Sequence, residues 1–527
     1  MRLLTAAEMR EIEMAAMESG SMSGIELMER AGAGVVDAIL EEWPELRHGR
    51  RRAVVLCGPG NNGGDGFVVA RLLSGCRWDV EVRLLGDPES VTGDARANLD
   101  RWLRIDAIQP LDASYDGPVC GEGAADIVVD ALFGIGLSRP LEGLETLAFN
   151  LEDFVDLSPD GLRPVGNFKW PIPKVVALDV PSSLCADSGK VFPHASGAAS
   201  RFRAHLTVTF HKLKRGHVLG VGPELCGRVR IVDIGLADTD AGLPTLGPPA
   251  RGAVAKVEGH KYDHGHAFVL SGGVGKGGAA RMAARAALRV GAGLVTLGCE
   301  PAALTENAAQ LNAIMLRAVT DATDLEQVLA DMRITALGLG PGLGLTDHEA
   351  ALLRVMLDAG RPTVLDADAL SLIARDDDLR AQVHKRCVLT PHRGEFARLF
   401  PDISERLDAP AGEGATYSEI DAARDAASEI GATVLLKGPA TVIATPTGRV
   451  AINAAVYGHA VPWLATAGAG DVLSGLIVGL LARDLSPFDA ACDAAWLHAE
   501  AAHRFGAGLI AEDLPDLIPG VLASLGA

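Results

Sequence analysis

The stretch Ala53-Val-Val-Leu-Cys-Gly-Pro-Gly-Asn-Asn-Gly-Gly-Asp-Gly66 contains the features that indicate the fold of the first half of the chain. Residues 53–57 are a continuous apolar run of strand length, residues 58–66 a glycine-rich loop, and Phe67 to Leu73 an apolar helix. A buried strand, a glycine loop and a helix are the parts of a nucleotide-binding half. The loop matches neither the G-x-G-x-x-G fingerprint nor a Walker loop, so it does not by itself indicate NAD binding.

Strand and helix patterns alternate around this stretch. Two helices, 8–18 and 25–43, come before it, and strands follow at 80–85, 127–130 and 174–179. This alternation predicts a parallel sheet with helices on both faces. Six polar residues come at or just after the strand ends: Asn61, Asn62, Asp65, Asp130, Asp179 and Ser182. Because ligands bind outside the carboxyl ends of such strands, we expect these residues to converge on one crevice.

The second half repeats the alternation. Residues 267–271 form a strand, 272–278 a glycine loop and 279–290 an Ala-rich helix. The glycine loop lacks the G-K-[ST] ending of a P-loop, so it is a weak phosphate signal. Lys437 closes an apolar strand, where its charge must face solvent or an anion.

The two halves are separated by a segment rich in Pro, Gly and Asp. It predicts domains at 1–237 and 251–527 with a linker at 238–250. A second Pro- and Gly-rich segment, 157–173, has the composition of a surface insertion. The predicted fold class is α/β, with two domains and parallel sheets.

The segment Thr466-Ala-Gly-Ala-Gly-Asp471 carries the clearest chemical signal of the second half. Its small residues let a backbone lie against a ligand, and the apolar run from Val472 to Leu481 predicts a buried helix. Gly468 to Gly470 would form the first helical turn, whose unpaired amides and positive dipole end favour an anion. Asp471 then supplies either a helix cap or a base for a hydroxyl that attacks a phosphate.

Composition excludes several classes of protein. The chain has 527 residues, 48% hydrophobic and 22% charged, and a formal net charge of -20. The charge argues against nucleic-acid and anionic-membrane partners, and no apolar run approaches the ~20 residues of a membrane span. Its eight cysteines show no C-x-x-C pair and predict reduced thiols. We expect a cytoplasmic homo-oligomer that acts on small molecules.

These motifs resemble a known pair of families. The first half, with its Asn61-Asn-Gly-Gly-Asp65 motif, Asp130 and Asp179-Val-Pro-Ser182, resembles the NAD(P)H-hydrate epimerases. The second half, with Gly340-Pro-Gly342, Thr390-Pro-His392, Lys437-Gly438 and Gly468-Ala-Gly-Asp471, is similar to the ADP-dependent NAD(P)H-hydrate dehydratases of the ribokinase-like superfamily. The order of the halves resembles that of the bacterial bifunctional repair enzymes. The resemblance implies a Rossmann-like N-terminal domain and a ribokinase-like C-terminal domain.

The resemblance also implies roles for individual residues. In the first half, the hydrate would be held by Asn61, Asn62, Gly63, Gly64, Asp65, Gly134, Ile135, Gly136, Leu137, Ser138, Arg139, Pro140 and Asp179. A potassium ion would be bound by Asn62, Asp130 and Ser182. In the second half, the hydrate would contact Ala279, Gly342, His392 and Asp471, and the nucleotide Lys437, Gly438, Thr441, Gly468, Ala469 and Gly470. Asp179 would transfer protons, Asp471 would be the base, and Mg²⁺ would accompany ADP.

The chain departs from the family pattern in two segments. Ser183 and Cys185 stand where the pattern usually has Gly and then Asp or Asn, and Ala469 replaces the Thr of G-T-G-D. If residue 183 needs a positive φ, serine costs on the order of 1 kcal/mol there. Two alternatives remain open from the residues: a ribokinase-type kinase of a vitamin or sugar alcohol, and a first half that binds a dinucleotide without catalysis. His392 is equally compatible with an ordinary loop histidine and with a ligand contact.

Overall fold

The computed structural model describes residues 1–112, 115, 124–155, 172–198, 200–412 and 416–527. These residues form two compact units. The first comprises Arg2–Leu243 and Ala409–Ser418, and the second comprises Met1, Pro244–Asp408 and Glu419–Ala527. The predicted domain bounds, with a linker at 238–250, stay a prediction. Most of the predicted insertion 157–173 lies outside the described residues.

The first unit alternates strands and helices along the chain. Its strands are β1 (Arg2–Leu3), β2 (Arg52–Cys57), β3 (Asp79–Leu85), β4 (Ile108–Leu111), β5 (Ile127–Ala131), β6 (Lys174–Leu178), β7 (Leu206–Phe210) and β8 (Arg228–Val232), and the short β9 (Leu243–Pro244) follows them. Its helices are α1 (Ala6–Glu18), α2 (Gly24–Glu42), α3 (Asn61–Gly75), α4 (Gly93–Trp102), α5 (Glu145–Phe154), α6 (Arg215–Val218) and α7 (Gly222–Leu225).

Seven of these strands form one sheet in the order β4-β3-β2-β5-β6-β7-β8, and every neighbouring pair is parallel. The chain moves outward from β2 to β4 and then returns to the other side of β2 with β5, so the strand order reverses between β2 and β5. Both faces are buried: Val55 and Cys57 pack toward α2, α3 and α4, whereas Val54 and Leu56 pack toward α5. The predicted parallel sheet is therefore confirmed, with a topological switch point where ligands of such folds bind.

The glycine-rich motif of the first unit is helical, which corrects the sequence prediction. The helix α3 begins at Asn61 rather than at Phe67. A Cβ on Gly63 would lie 1.9 Å from the carbonyl oxygen of Gly58, and one on Gly66 would lie 2.7 Å from Cβ of Ala131. These glycines therefore allow the close approach of α3 to the strand ends, and they place both asparagines on the first turn of the helix.

The second unit repeats the α/β alternation on a larger sheet. Its strands are β10 (His266–Leu270), β11 (Leu294–Cys299), β12 (Met315–Ala318), β13 (Ala336–Leu339), β14 (Thr363–Leu365), β15 (Cys387–Leu389), β16 (Thr433–Leu436), β17 (Ala440–Ala444) and β18 (Val450–Ala454). Its helices are α8 (Arg251–Val254), α9 (Gly278–Arg289), α10 (Leu304–Ala308), α11 (Ala322–Leu329), α12 (Asp347–Asp358), α13 (Ala367–Ile373), α14 (Asp377–Gln382), α15 (Arg393–Leu399), α16 (Pro401–Asp408), α17 (Glu419–Ile430), α18 (Ala469–Ala482), α19 (Pro487–Phe505) and α20 (Leu514–Ser524).

The nine-stranded sheet has the order β12-β11-β10-β13-β14-β15-β16-β17-β18. The strands from β12 to β16 are parallel, and β17 and β18 add an antiparallel edge. The helix α18, predicted from the apolar run after Asp471, is buried along nearly its whole length and packs against α9. Its glycines make this packing close, since a Cβ on Gly475 would lie 2.2 Å from the carbonyl oxygen of Ala283.

Two expectations from composition concern membranes and thiols. No helix in the part of the chain that the structure describes is both long and apolar enough to cross a membrane. Seven of the eight cysteines are described, and none of these seven forms a disulfide. Six of them are buried and Cys76 is exposed, while Cys120 lies outside the described residues.

The contact between α9 and α18 predicts a stability effect. Gly475→Ala should destabilise the second unit by about 1–3 kcal/mol, because the added methyl group overlaps the backbone of α9. Gly520→Ala, in α20, is the matched control: nothing lies within 4 Å of the added Cβ, so stability should stay the same or rise by up to ~1 kcal/mol. Thermal unfolding followed by circular dichroism measures both. Equal midpoints for the two variants would contradict the proposed close packing.

Candidate active sites

A cavity of about 610 Å³ opens in the first unit beside the switch point of its sheet. Its walls come from α1, the start of α3, the loop after β5 and the end of β6. The predicted residues that line it are Asn61, Asn62, Asp65, Gly134, Ile135, Gly136, Leu137, Ser138, Arg139 and Asp179. The structure therefore brings most of the predicted first-half residues to one cavity large enough for a nucleotide-sized ligand.

Five predicted residues do not line this cavity: Gly63, Gly64, Asp130, Pro140 and Ser182. The two glycines are buried in α3, where a Cβ on Gly64 would lie 3.0 Å from Cα of Ala95. Their place in the fold follows from helix packing, and their contact with a hydrate stays a prediction.

Asp179 stands directly after β6 in a left-handed conformation, with φ of 65°. Its side chain is buried, and its Oδ1 accepts hydrogen bonds from Lys214 Nζ at 2.7 Å and from Thr209 Oγ1 at 2.8 Å. Its Oδ2 lies on the side of Gly134, where a Cβ would be 3.5 Å away. One oxygen is therefore held by the protein, while the other faces the loop that lines the cavity.

Lys214 fixes the charge state of Asp179, and His217 bonds to the Asp179 backbone. Lys214 is fully buried, and its ammonium also donates to Thr209 Oγ1 and to the carbonyl of Phe210. Burial raises the pKa of Asp179, but the Lys214 ammonium outweighs burial and leaves the pKa below its usual value. Burial and the same ammonium lower the pKa of His217 to about 4. Because His217 Nδ1 accepts from the Lys214 amide, its Nε2 carries the proton and donates to the Asp179 carbonyl at 2.8 Å.

Asp130 and Ser182 form a buried polar pair next to this cavity. The Ser182 amide donates to Asp130 Oδ2 at 2.9 Å, and the Ser182 hydroxyl donates to Asp130 Oδ1. Burial raises the pKa of Asp130 to about 6, and the hydrogen bonds from Ser182 act in the opposite direction. Asn62 Nδ2 is buried and has no hydrogen-bond partner within the described part of the chain. A carboxylate, a hydroxyl and an amide oxygen are hard donors of the kind that a cation such as K⁺ accepts.

The departure at residue 183 does not strain the backbone. Ser183 is not among the residues with positive φ, whereas Asp179 is. Ser183 is buried, and its hydroxyl accepts a hydrogen bond from the Phe202 amide at 3.0 Å. Ser183 therefore does not carry the conformational cost that a positive φ would impose, because the residue with positive φ in this segment is Asp179.

The glycine turn of the second unit forms the start of α18. Gly468 is the N-cap residue with φ of 93°, and Asp471 is the third residue of the helix. The first helical bond runs from the Val472 amide to the Gly468 carbonyl at 3.2 Å, so the Gly470 and Asp471 amides have no helical acceptor. The Ala469 amide makes a long bond of 3.4 Å to the Thr466 carbonyl. Asp471 does not cap the helix, since no side chain makes a cap hydrogen bond there.

Behind this turn lies a second carboxylate–lysine pair. Asp366, which directly follows β14, is buried and accepts from Lys437 Nζ at 2.9 Å and from Ser474 Oγ at 2.6 Å. Glu395 Oε2 is 3.8 Å from the same ammonium. A Cβ on Gly470 would lie 3.4 Å from Lys437 Nζ, so this ammonium is beside the glycine turn.

Asp471 lies beside the cluster of Asp366, Lys437 and Glu395 but takes no part in its hydrogen bonds. Burial raises its pKa to about 6, the Asp366 carboxylate adds to the increase, and the Lys437 ammonium opposes it. Within the described residues, Asp471 accepts no side-chain or backbone hydrogen bond. A half-buried carboxylate of this pKa is deprotonated for most of the molecules at neutral pH and can still accept a proton, which suits a general base.

The other predicted residues of the second unit lie at strand ends and helix starts. Ala279 is in the first turn of α9, and Gly342 has φ of 65° in the loop after β13. His392 caps α15: its Nδ1 accepts the Gly394 and Glu395 amides at 3.0 and 3.3 Å, and its side chain is exposed. Thr441 donates its hydroxyl to the Gly438 carbonyl at 2.9 Å. Contacts of these residues with ligands stay predictions.

The sequence predicted no role for several residues that these sites contain. They are Arg10 and Glu13 on the cavity wall, Lys214 and His217 around Asp179, and Asp366, Glu395 and Ser474 around Lys437. Asp366 offered a signal, since it ends an apolar strand as Asp179 does. Glu13 offered none, because a glutamate in a predicted amphipathic helix is most often solvent-exposed.

Comparison with known proteins identifies both units. Residues 267–519 match the family model described as NAD(P)H-hydrate dehydratase, and residues 24–216 match the one described as YjeF-related protein N-terminus. The bifunctional NAD(P)H-hydrate repair enzyme of Moorella thermoacetica is 35% identical over 100% of this chain and 97% of that protein. The chain belongs to the family of bifunctional NAD(P)H-hydrate repair enzymes.

A relative of the first unit alone agrees with this family. The NAD(P)H-hydrate epimerase of Roseobacter litoralis is 43% identical, over 44% of this chain and 99% of that protein. A crystal structure of the ADP/ATP-dependent NAD(P)H-hydrate dehydratase from Bacillus subtilis, co-crystallised with ATP/Mg²⁺, is 26% identical and covers 53% of this chain and 95% of that one, with a TM-score of 0.41. The resemblance stated from the motifs is confirmed, as is the two-domain α/β fold class. A vitamin or sugar kinase is not favoured.

The Asp179–Lys214 pair in this repair-enzyme chain predicts a pH-dependent loss of stability. Lys214→Met leaves a buried carboxylate without its counter-charge, which should cost about 3–5 kcal/mol at pH 7. Because Lys214 depresses the folded-state pKa of Asp179, its stabilising effect is present above the unfolded pKa and is lost as pH falls. In Lys214→Met burial is no longer opposed by the ammonium and raises the pKa of Asp179, so the carboxyl group takes up a proton as pH falls and the difference from wild type should shrink toward pH ~4.

Chemical unfolding of the first unit at pH 7 and at lower pH measures this effect. The double variant Lys214→Met/Asp179→Asn is the control, because it removes the charge as well as its partner and should recover part of the lost stability. A Lys214→Met penalty that is independent of pH and unchanged in the double variant would show that the lysine acts by packing alone.

Proposed function

We propose that this chain repairs hydrated NADH and NADPH. The first unit interconverts the R and S hydrates, and the second dehydrates the S form with ADP, releasing AMP and phosphate. The observation that carries the second activity is the Asp471 carboxylate, which has no hydrogen-bond partner among the described residues and stands beside the amides of the Gly468–Gly470 turn. Family membership across both units supports the pairing of the two activities.

The dehydration begins as a phosphoryl transfer. Asp471 takes the proton of the C6 hydroxyl of the hydrate, the hydroxyl oxygen bonds to the β-phosphorus of ADP, and AMP leaves. Phosphate then departs from C6, and loss of a C5 proton restores the C5–C6 double bond. The Gly470 and Asp471 amides and the positive end of α18 stabilise the transferred group, and the Lys437 ammonium beside Gly470 adds positive charge.

The nucleotide would be held by Lys437, Gly438, Thr441 and the turn from Gly468 to Gly470. Mg²⁺ enters with the ADP and neutralises charge on its phosphates. The oxygens of Asp366 and Glu395 nearby already accept hydrogen bonds from Lys437, Ser474 and the His392 amide, so Mg²⁺ would be held mainly by the nucleotide phosphates. Ala279, Gly342 and His392 would contact the hydrate.

In the first unit, Asp179 is the proton-transfer group. Lys214 keeps it ionised, and Oδ2 faces the cavity loop that would hold the nicotinamide ring. Potassium would be bound by Asn62, Asp130 and Ser182. These residues fit the ion, since they offer carboxylate, hydroxyl and amide oxygens. The ion would supply a fixed positive charge at the edge of the hydrate site.

The remaining proposals concern the surroundings of the enzyme. A net charge of -20 supports small-molecule substrates rather than nucleic acid or an anionic membrane surface. We place the activity in the cytoplasm, and assembly as a homo-oligomer stays a prediction.

Repair of authentic hydrate tests the function directly. The protein should restore the absorbance of NADH from S hydrate only when ADP is present, and it should use a mixture of R and S hydrates completely rather than stopping at the S fraction. The same assay with ATP determines the nucleotide preference. A protein that transfers phosphate to a small alcohol and restores no NADH would contradict the proposal.

Asp471→Asn separates a base from a helix cap. Dehydration should fall by ~10²–10⁴, because asparagine cannot take the hydroxyl proton. Stability should barely change, since Gly468 rather than Asp471 occupies the N-cap position. In wild type, the rate should rise with pH around the Asp471 pKa of about 6, because only the deprotonated form is a base.

The Asp471→Asn variant should lack the fall in rate that wild type shows on the acid side of the pH profile. Asp484→Asn is the matched control, because Asp484 is exposed just beyond the C-terminus of the same helix and should leave rate and profile unchanged. Full activity in Asp471→Asn would remove Asp471 from the mechanism.

A further inference from the structure

We propose that Glu13 is the general acid that works with Asp179 in the first unit, so that hydrate epimerisation uses two carboxyl groups in one cavity. This inference rests on the proposed epimerase function and assigns a role that the sequence motifs do not give. It places a catalytic group on α1, a helix that the motif analysis left without function.

One face of α1 is a wall of the cavity. The residues Arg10, Glu13, Met14 and Met17 recur at helical spacing, and all four line the same space as Asp179. The helix is fixed at its start, where the Ala6 amide donates to Asp187 Oδ1 at 2.6 Å. Glu13 is therefore presented to the cavity by a rigid element, as a catalytic group requires.

The charged neighbour on the same face does not neutralise Glu13. Arg10 Nη2 instead donates to the Ile135 carbonyl at 3.1 Å, which fastens the cavity loop to α1. Within the described residues, Glu13 forms no hydrogen bond and no ion pair closer than 4.0 Å. A partly buried carboxyl group without a partner costs stability unless it serves a ligand.

Several charged groups face Glu13 from the elements around the cavity: Arg10, Asp65, Asp94, Arg139, Asp179 and Lys214. Burial, followed by the Asp179 carboxylate, raises the pKa of Glu13 to about 6, against the opposing effects of Lys214 and Arg10. Asp179 is shifted the other way, below its usual pKa. Two carboxyl groups whose environments separate their pKa values in one site are suited to act as an acid and a base.

Asp65 is the competing candidate for the acid. Burial, followed by repulsion from Asp179 and Glu13, raises the pKa of Asp65 well above its usual value. A carboxyl group that is this hard to ionise is better suited to donating a hydrogen bond to a ligand than to releasing and regaining a proton during turnover. We therefore assign Asp65 to binding and Glu13 to proton transfer.

The step that Glu13 and Asp179 perform is a ring opening and closure. Asp179 removes the proton of the C6 hydroxyl, the oxygen electron pair forms a C6 aldehyde, and the C6–N1 bond breaks as Glu13 gives its proton to N1. After rotation about C5–C6, N1 attacks the other face of the aldehyde. N1 returns its proton to Glu13, the new alkoxide takes the proton from Asp179, and the opposite epimer is formed with no net proton change.

The test measures conversion of R to S hydrate across pH without ADP, so that the dehydratase is inactive, with the enzyme-free rate subtracted. Wild type should slow on the alkaline side as Glu13 loses its proton. Glu13→Gln should be slower by ~10²–10³ at the wild-type optimum and should lack the alkaline limb. Glu13→Asp should keep this limb at a reduced rate, and Glu11→Gln, on the exposed side of α1, should match wild type.

The test distinguishes failure of the proposed role of Glu13 from failure of the proposed epimerase function. With S hydrate and ADP, every variant should dehydrate at the wild-type rate, which shows that the protein is folded. A wild type that does not interconvert the epimers overturns the epimerase assignment itself. A Glu13→Gln variant with the wild-type rate, or one as slow as Glu13→Asp with an unchanged pH profile, overturns the role of Glu13 alone.

Discussion

Each unit depends on a buried carboxylate at the end of a parallel strand that is held by a lysine ammonium. Asp179 follows β6 with Lys214 Nζ at 2.7 Å, and Asp366 follows β14 with Lys437 Nζ at 2.9 Å. The backbone takes a left-handed conformation at Asp179 itself and at the residue after Asp366, with φ of 65° and 46°. Such conformations persist only where surrounding contacts determine them, and both lie at a carboxylate that is bonded to a buried or half-buried lysine.

Each pair leaves a second carboxyl group available for the proposed chemistry. Lys214 and Lys437 each satisfy one acid, while Glu13 and Asp471 remain without hydrogen bonds in the described residues and have pKa values of about 6. Partial burial and a neighbouring anion raise both values in the same way. The surroundings decide the role: Asp471 stands beside amides that favour a transferred phosphoryl group, whereas Glu13 faces an ionised Asp179 and suits the acid.

The sequence allowed most of the fold to be predicted, because strands of a parallel sheet are continuous apolar runs and their ends carry polar residues. Asn62 and Asp179 could be placed at one cavity from the strand order alone. The start of α3 could not be predicted, since glycines that permit close helix–strand packing look the same in sequence as glycines of a loop. Lys214 and Glu13 could not be predicted as site residues either, because their only distinguishing feature is burial against groups that are distant in sequence.

The two departures from the family motif show why backbone geometry matters more than the motif letters. Ser183 replaces a glycine without strain, because the positive φ of this segment falls at Asp179 and the Ser183 hydroxyl accepts the Phe202 amide. Ala469 lacks a hydroxyl, yet the donors next to Asp471 are main-chain amides that any residue supplies. Gly468 is different, since its φ of 93° and the approach of Met282 leave no room for a side chain. Substitution is therefore tolerated where the site uses only the backbone, and excluded where the turn itself requires glycine.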